Sequence, residues 1–142
     1  MKKIISLLIL IACYEVSLSQ GKIVVTINNL ENNKGVCKGC VFANESSFAG
    51  NGEPVKCAQA FISNKSAQLT FEGIAPGEYA VSVFHDANNN NRMDKNFLGI
   101  PKEGYGASRN KLPFASAPRF SDNKFNVTNN TVNSIIMKLR YL

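Results

Sequence analysis

The chain has 142 residues, a formal net charge of +6, 44% hydrophobic and 18% charged residues. That length suits a single domain with one core, and the composition is ordinary for a globular protein. Lys and Arg are scattered rather than gathered into a stripe interleaved with aromatics, which argues against nucleic-acid binding.

The N-terminus has the layout of a secretory signal. Lys2 and Lys3 form its positive end, Ile4 to Ala12 its apolar stretch, and Ser17-Leu18-Ser19 a small-x-small cleavage site before Gln20. The apolar run falls well short of the roughly 20 residues that span a bilayer, so no membrane span is expected. A second reading stands beside it: Leu10-Ile11-Ala12-Cys13 fits a bacterial lipobox, which would leave a lipid anchor on Cys13. Loss of residues 1–19 removes two positive charges and one negative, and takes +6 to +5. Residues 20–142 are then expected to be one exported domain, periplasmic, secreted or held at the cell surface.

That domain keeps Cys37, Cys40 and Cys57. An odd number in an oxidising compartment implies one disulfide and one free thiol. Cys37 and Cys40 share a strand, where their odd spacing points them to opposite faces. A bridge from either to Cys57 is therefore expected over a Cys37–Cys40 bridge. A redox pair of this spacing would need a helix N-terminus to activate it. Zinc would need a fourth ligand besides the three cysteines, with His85 the sole candidate. A structural disulfide and thiol fit better.

In chain order, Lys22 to Asn28 alternates, with Ile23, Val25 and Ile27 on one face, and reads as a strand. An Asn-rich turn follows to Gly35. Val36 to Phe42 is a second strand, in which Gly39 marks a weakness or a bulge. Asn44 to Pro54 reads as a long loop. Val55 to Ile62 and Ala67 to Phe71 are strands around the turn Ser63-Asn64-Lys65, and Gly73 to Gly77 is a turn by composition. Tyr79 to Phe84 is apolar on nearly both faces, as in a central strand covered on both sides. Lys124 to Val127 and Val132 to Leu139 are the last strands, with Ile135, Met137 and Leu139 on one face. No stretch sustains helical periodicity. The prediction is an all-β, Ig-like or prealbumin-like sandwich of about seven short antiparallel strands.

Phe71-Glu72-Gly73-Ile74-Ala75-Pro76-Gly77-Glu78-Tyr79 resembles the phe-x-x-leu-x-pro-gly-x-tyr signature of prealbumin-like and carboxypeptidase-regulatory-like sandwiches. It supports the fold and says nothing of function. Tyr79-Ala80-Val81 through His85-Asp86, then Asn88, Asn90, Asp94 and Gly99-Ile100-Pro101-Lys102-Glu103-Gly104-Tyr105-Gly106, resembles a bacterial domain-of-unknown-function family, number 2141. The likeness covers roughly residues 22–141. It departs from the family pattern at Asn91, where Gly is usual, at Ala107, where an aromatic is usual, and at Cys37 and Cys40, where aliphatic or small residues are usual. The resemblance implies export and a sandwich, and carries no activity.

The segment after Tyr79–Phe84 holds the chemistry. Counted from Asp86, the residues at positions one, three, five, seven and nine are Asp86, Asn88, Asn90, Arg92 and Asp94. An EF-hand-type loop uses those positions for Ca²⁺, with the main-chain carbonyl at seven. A similar run occurs in calcium-binding repeats of bacterial surface adhesins. Position six is Asn91, the next best residue after Gly for left-handed geometry. Position twelve is Phe97, which cannot supply the usual carboxylate. Glu103 becomes a replacement if the Gly99-Ile100-Pro101 turn folds back. With two carboxylates, affinity is expected near the roughly 10⁻⁴–10⁻³ M of extracellular modules. The plainer reading is a loop of Asx turns satisfying its own backbone. Gly99 to Gly106 reads as turn geometry, without the Gly-Lys-Ser/Thr of a phosphate loop. Ser108 lacks the setting of a nucleophile elbow.

Two functional readings follow. One is a non-catalytic exported module with a weak calcium loop, its partner a cell-surface carbohydrate or protein met through Tyr105, Arg109 and Phe114. The alternative is an enzyme or ligand site built from His85, Glu103 and Tyr105. His85 and Asp86 cannot pair, because neighbours on a strand face opposite ways.

Overall fold

The computed structural model describes residues 20–142; the signal and Cys13 readings lie outside the described residues. Eight strands form two sheets: β1 (Gly21–Ile27), β2 (Val36–Phe42), β3 (Lys56–Phe61), β4 (Ala67–Ile74), β5 (Gly77–Asp86), β6 (Tyr105–Ala107), β7 (Phe125–Val127) and β8 (Val132–Met137). One sheet has the order β4-β1-β8. The other runs β3-β2-β5-β6, with β7 on the first residues of β5. Two single-turn helices, α1 (Glu45–Phe48) and α2 (Phe120–Asn123), lie in the connections. Among the described residues no helix is long and apolar enough to cross a membrane.

The core sits between the sheets, and the alternation of the strands builds it. Ile23, Val25 and Ile27 of β1 and Leu69 and Phe71 of β4 meet Cys37 and Val41 of β2 and Val81 and Val83 of β5. Met137 and Leu139 close one side. Burying a side chain of this size is worth about 1.5–3 kcal/mol, so this layer dominates the stability.

Besides the helical turn α1 inside the stretch read as a loop and the extension of β4 to Ile74, four features differ from the sequence reading. Gly39 is no bulge: β2 runs in unbroken register with both neighbours. A Cβ on Gly39 would stand 2.6 Å from Leu69 Cδ1, so glycine is there to let the sheets approach. Tyr105–Ala107, read as turn, is a strand paired with Ser82–Phe84. Such a short glycine-containing segment has no periodicity to betray it. β5 is central and its inner face is sealed, but on the other face the cover is incomplete: Ala80 and Asp86 are buried while Ser82 and Phe84 remain half-buried. Finally, β1 and β8 pair in parallel, while every other pairing of the named strands is antiparallel.

The Pro76-Gly77 turn carries the chain from β4 in one sheet to β5 in the other. At the Ser63-Asn64-Lys65-Ser66 hairpin, Asn64 and Lys65 have φ of 50° and 57°. That left-handed pair is what a tight two-residue hairpin demands. Cys40 and Cys57 are direct partners across β2 and β3 and form the disulfide. Cys37 faces the core, and burial pushes its thiol pKa up to about 12.

Candidate functional site

The end of β5 and the long connection to β6 hold the predicted residues. β2 and β5 pair Val36 with Asp86, Cys37 with His85, and Lys38 with Phe84. Alternate residues share a face, so His85 turns inward with Cys37 and Asp86 outward, diagonal to Lys38. The two neighbours then enter separate networks.

Asp86 is fully buried, and its carboxylate organises the loop. Oδ1 accepts from Asn90 N at 3.1 Å, Oδ2 from Asn91 N at 3.0 Å, and Lys38 Nζ lies 3.2 Å from Oδ2. The same ammonium donates to Asn91 Oδ1. Asn89 and Asn91 have φ of 58° and 66°, the left-handed geometry asparagine tolerates. Asn88 Oδ1 accepts from Asn90 N and Asn90 Oδ1 from Arg92 N, two successive Asx turns.

Asp94 faces the same side chains. Asn88 Nδ2 donates to its Oδ2 at 2.7 Å and Asn90 Nδ2 to its Oδ1 at 2.9 Å. These donors hold the Asp94 pKa below the usual aspartate range, Asn90 first and Asn88 next, with Arg92 and Lys102 adding charge attraction. The loop thus draws the side chains of Asp86, Asn88, Asn90 and Asp94 into one cluster. Arg92 stays exposed, its Nε 3.8 Å from Asp94 Oδ1, and its role in the sequence motif is its main-chain carbonyl.

The Gly99-Ile100-Pro101 segment does fold back. Lys102 N donates to Asp94 O at 2.8 Å, and Glu103 arrives beneath the loop, 8% exposed. Its carboxylate accepts from Ala87 N at 3.0 Å and Asp94 N at 3.1 Å. Glu103 therefore staples positions two and nine of the loop together through their backbones.

His85, 1% exposed, has both ring nitrogens occupied. Nε2 lies 2.7 Å from Lys34 O, so it carries the proton; Nδ1, 3.0 Å from Tyr141 Oη, accepts from that hydroxyl. Glu31 N in turn donates to Tyr141 Oη. Burial, foremost, raises the tyrosine pKa. The Tyr141 ring lies where a Cβ on Gly104 would fall, 2.3 Å from its Cζ, so the loop base needs glycine there. His85 and Glu103 are thus committed to different partners, and Tyr105 sits half-buried in β6. The three do not assemble a dyad or triad.

A family model described as "Uncharacterized protein conserved in bacteria (DUF2141)" matches residues 25–135. The chain belongs to this family. No curated protein and no solved structure matches it. The DUF2141 match begins within β1 and ends within β8, so most of both sheets and the whole 86–103 loop fall inside it.

Several residues that organise this DUF2141 domain were silent in the sequence. Lys38 and Tyr141 reach the loop from distant strand and tail positions, and only strand register could have revealed them. Asn123 is buried, with Oδ1 accepting from Arg109 N and Lys111 N and Nδ2 donating to Lys111 O and Arg119 O. Ser108 donates to Asn123 O and accepts from Val81 N, a structural hydroxyl rather than a nucleophile. Of the expected contact residues, Arg109 is exposed and Phe114 is 93% exposed on the 111–119 segment, which Arg140 braces through Leu112 O and Pro113 O.

Proposed function

We propose that the protein is an exported, non-catalytic β-sandwich module whose Asp86–Asp94 loop binds calcium weakly. The observation that carries this reading is the approach of Asn88 and Asn90 to the Asp94 carboxylate, beside the buried Asp86. Two carboxylates and two carboxamides offer hard oxygen donors once the amides turn their oxygens inward, and hard oxygens are what Ca²⁺ takes. The left-handed Asn91 supplies the bend that glycine gives at position six of such loops. Lys38 already places one positive charge on Asp86, which keeps the affinity low. Export is supported by the charged and apolar pattern of residues 1–19 and by the Cys40–Cys57 disulfide, which suits an oxidising compartment. A non-catalytic role is supported by His85 and Glu103, whose polar atoms are engaged in holding the loop.

Calcium titration followed by NMR tests the reading. The amide signals of Asn88, Asn90 and Asp94 should shift with a Kd of roughly 10⁻⁴–10⁻³ M, and the melting temperature should rise with them. Signals and melting temperature that stay fixed well above that range would remove calcium from the account.

A further inference from the structure

Beyond the Asn/Asp cluster the loop continues into a tip that is apolar and rigid. Phe97 is 95% exposed, Leu98 68% and Ile100 41%. Single exposed apolar residues need no explanation, but three within four residues make a patch. Hydrogen bonds hold this one out from the body. Asn96 Oδ1 accepts from Leu98 N at 2.9 Å and Ile100 N at 3.0 Å; Asn96 N donates to Ile100 O at 2.9 Å, and Gly99 N to Asn96 O at 3.0 Å. Below them, Lys95 and Pro101 pair across the two arms.

Two consequences follow from this bonding. The tip is already ordered, so binding need not freeze it. Its N–H groups at 96, 98, 99 and 100 are bonded internally, so the tip can leave water without stripping those donors. Behind the apolar residues stand the exposed cations Arg92, Lys95 and Lys102. The one carboxylate between residues 92 and 102 is Asp94, which the Asn88 and Asn90 amides occupy.

We infer that the 96–100 turn docks on an anionic phospholipid bilayer, with Phe97 and Leu98 entering between the headgroups and Lys95, Lys102 and Arg92 meeting lipid phosphates. Charge complementarity selects this occupant. A neutral protein groove would accept the apolar tip but give the cationic collar nothing to pair with. Apolar insertion combined with a few basic residues yields weak, reversible attachment. The net positive charge of the chain adds to the attraction. The inference does not depend on calcium binding.

The test uses the chain from Gln20, since the core lies between Ile23 and Leu139. Co-sedimentation is measured with vesicles of phosphatidylcholine alone and with phosphatidylglycerol added. The chain should partition onto the anionic vesicles, less so as salt rises. The double variant F97S/L98S should bind at least about tenfold more weakly with its melting temperature unchanged, because both side chains are exposed. The double variant K95Q/K102Q should lose about tenfold as well. Because the chain has no tryptophan, F97W provides a single indole whose emission should move to the blue on anionic vesicles alone. Absence of wild-type partition, equal partition of F97S/L98S, or an unshifted indole would each overturn the inference. Tip-to-tip self-association of the wild type without vesicle binding, abolished in F97S/L98S, would reassign the patch to a second copy.

Discussion

The Lys38–Asp86 pair bears on the stability of the loop and, under the proposed calcium reading, on its affinity. Asp86 is fully buried and the Lys38 side chain is 16% exposed, so neither charge is well hydrated. Two backbone N–H groups already bond the carboxylate, and the ammonium supplies the balancing charge. Replacing Lys38 by Met keeps the apolar stem and removes the charge. The buried carboxylate then lacks its partner, and the ion-free protein should lose about 3 kcal/mol. The same change removes the cation that competes for Asp86, so calcium should bind roughly tenfold more tightly. Urea unfolding with and without calcium separates the effects. A variant that loses stability and gains no calcium affinity would place the ion away from Asp86.

At the scale of the element, the 86–103 loop is a hairpin whose interior is made of asparagine amides, two aspartates and Glu103. Its turn chemistry was legible: the alternate oxygens from Asp86 to Asp94 and the left-handed Asn91 follow from local residue types, whereas the fold-back at Gly99-Ile100-Pro101 was an open condition that the Lys102 N to Asp94 O bond meets. The job of Glu103 was not, because its partners are backbone N–H groups that become neighbours only after the hairpin closes. Lys38 was hidden for a related reason, since its reach to Asp86 depends on the β2–β5 register. The hairpin should also respond to acid. Asp94 has its pKa depressed in the folded loop, so its bonds to Asn88 and Asn90 stabilise the loop fully above the unfolded value. That contribution is lost as pH falls below about 4 and through the lower folded pKa. The side-chain amide signals of Asn88 and Asn90 should therefore move together in an acid NMR titration. Signals that stay apart from each other, or that titrate above the ordinary aspartate range, would contradict the shared bond to Asp94.

The whole molecule is a sandwich whose strand faces were readable and whose strand partners were not. Ile23, Val25 and Ile27 announced their face by alternation, yet nothing in that pattern says that β8 would lie parallel to β1. Pairing between the first and last strands is a property of the closed topology, in which β7 ends in one sheet and β8 begins in the other. The cysteines show the same division. Opposite faces for Cys37 and Cys40 followed from strand geometry, whereas the choice of Cys40 for Cys57 follows from β2–β3 register. The bridge ties edge strand β3 to β2, with a sequence separation of 17. Closing a loop of that size in the unfolded chain should contribute about 3 kcal/mol, while the core between the sheets is untouched by its loss. Reduction should therefore lower the urea midpoint and leave a cooperative fold. Cys37 supplies an internal control: buried, with its thiol pKa pushed up to about 12, it should resist iodoacetamide until the chain unfolds. Under reducing conditions at low urea, alkylation should mark Cys40 and Cys57 and spare Cys37. Labelling of Cys37 at the same rate as the other two would mean that the bridge holds the sandwich itself together, and not only its edge.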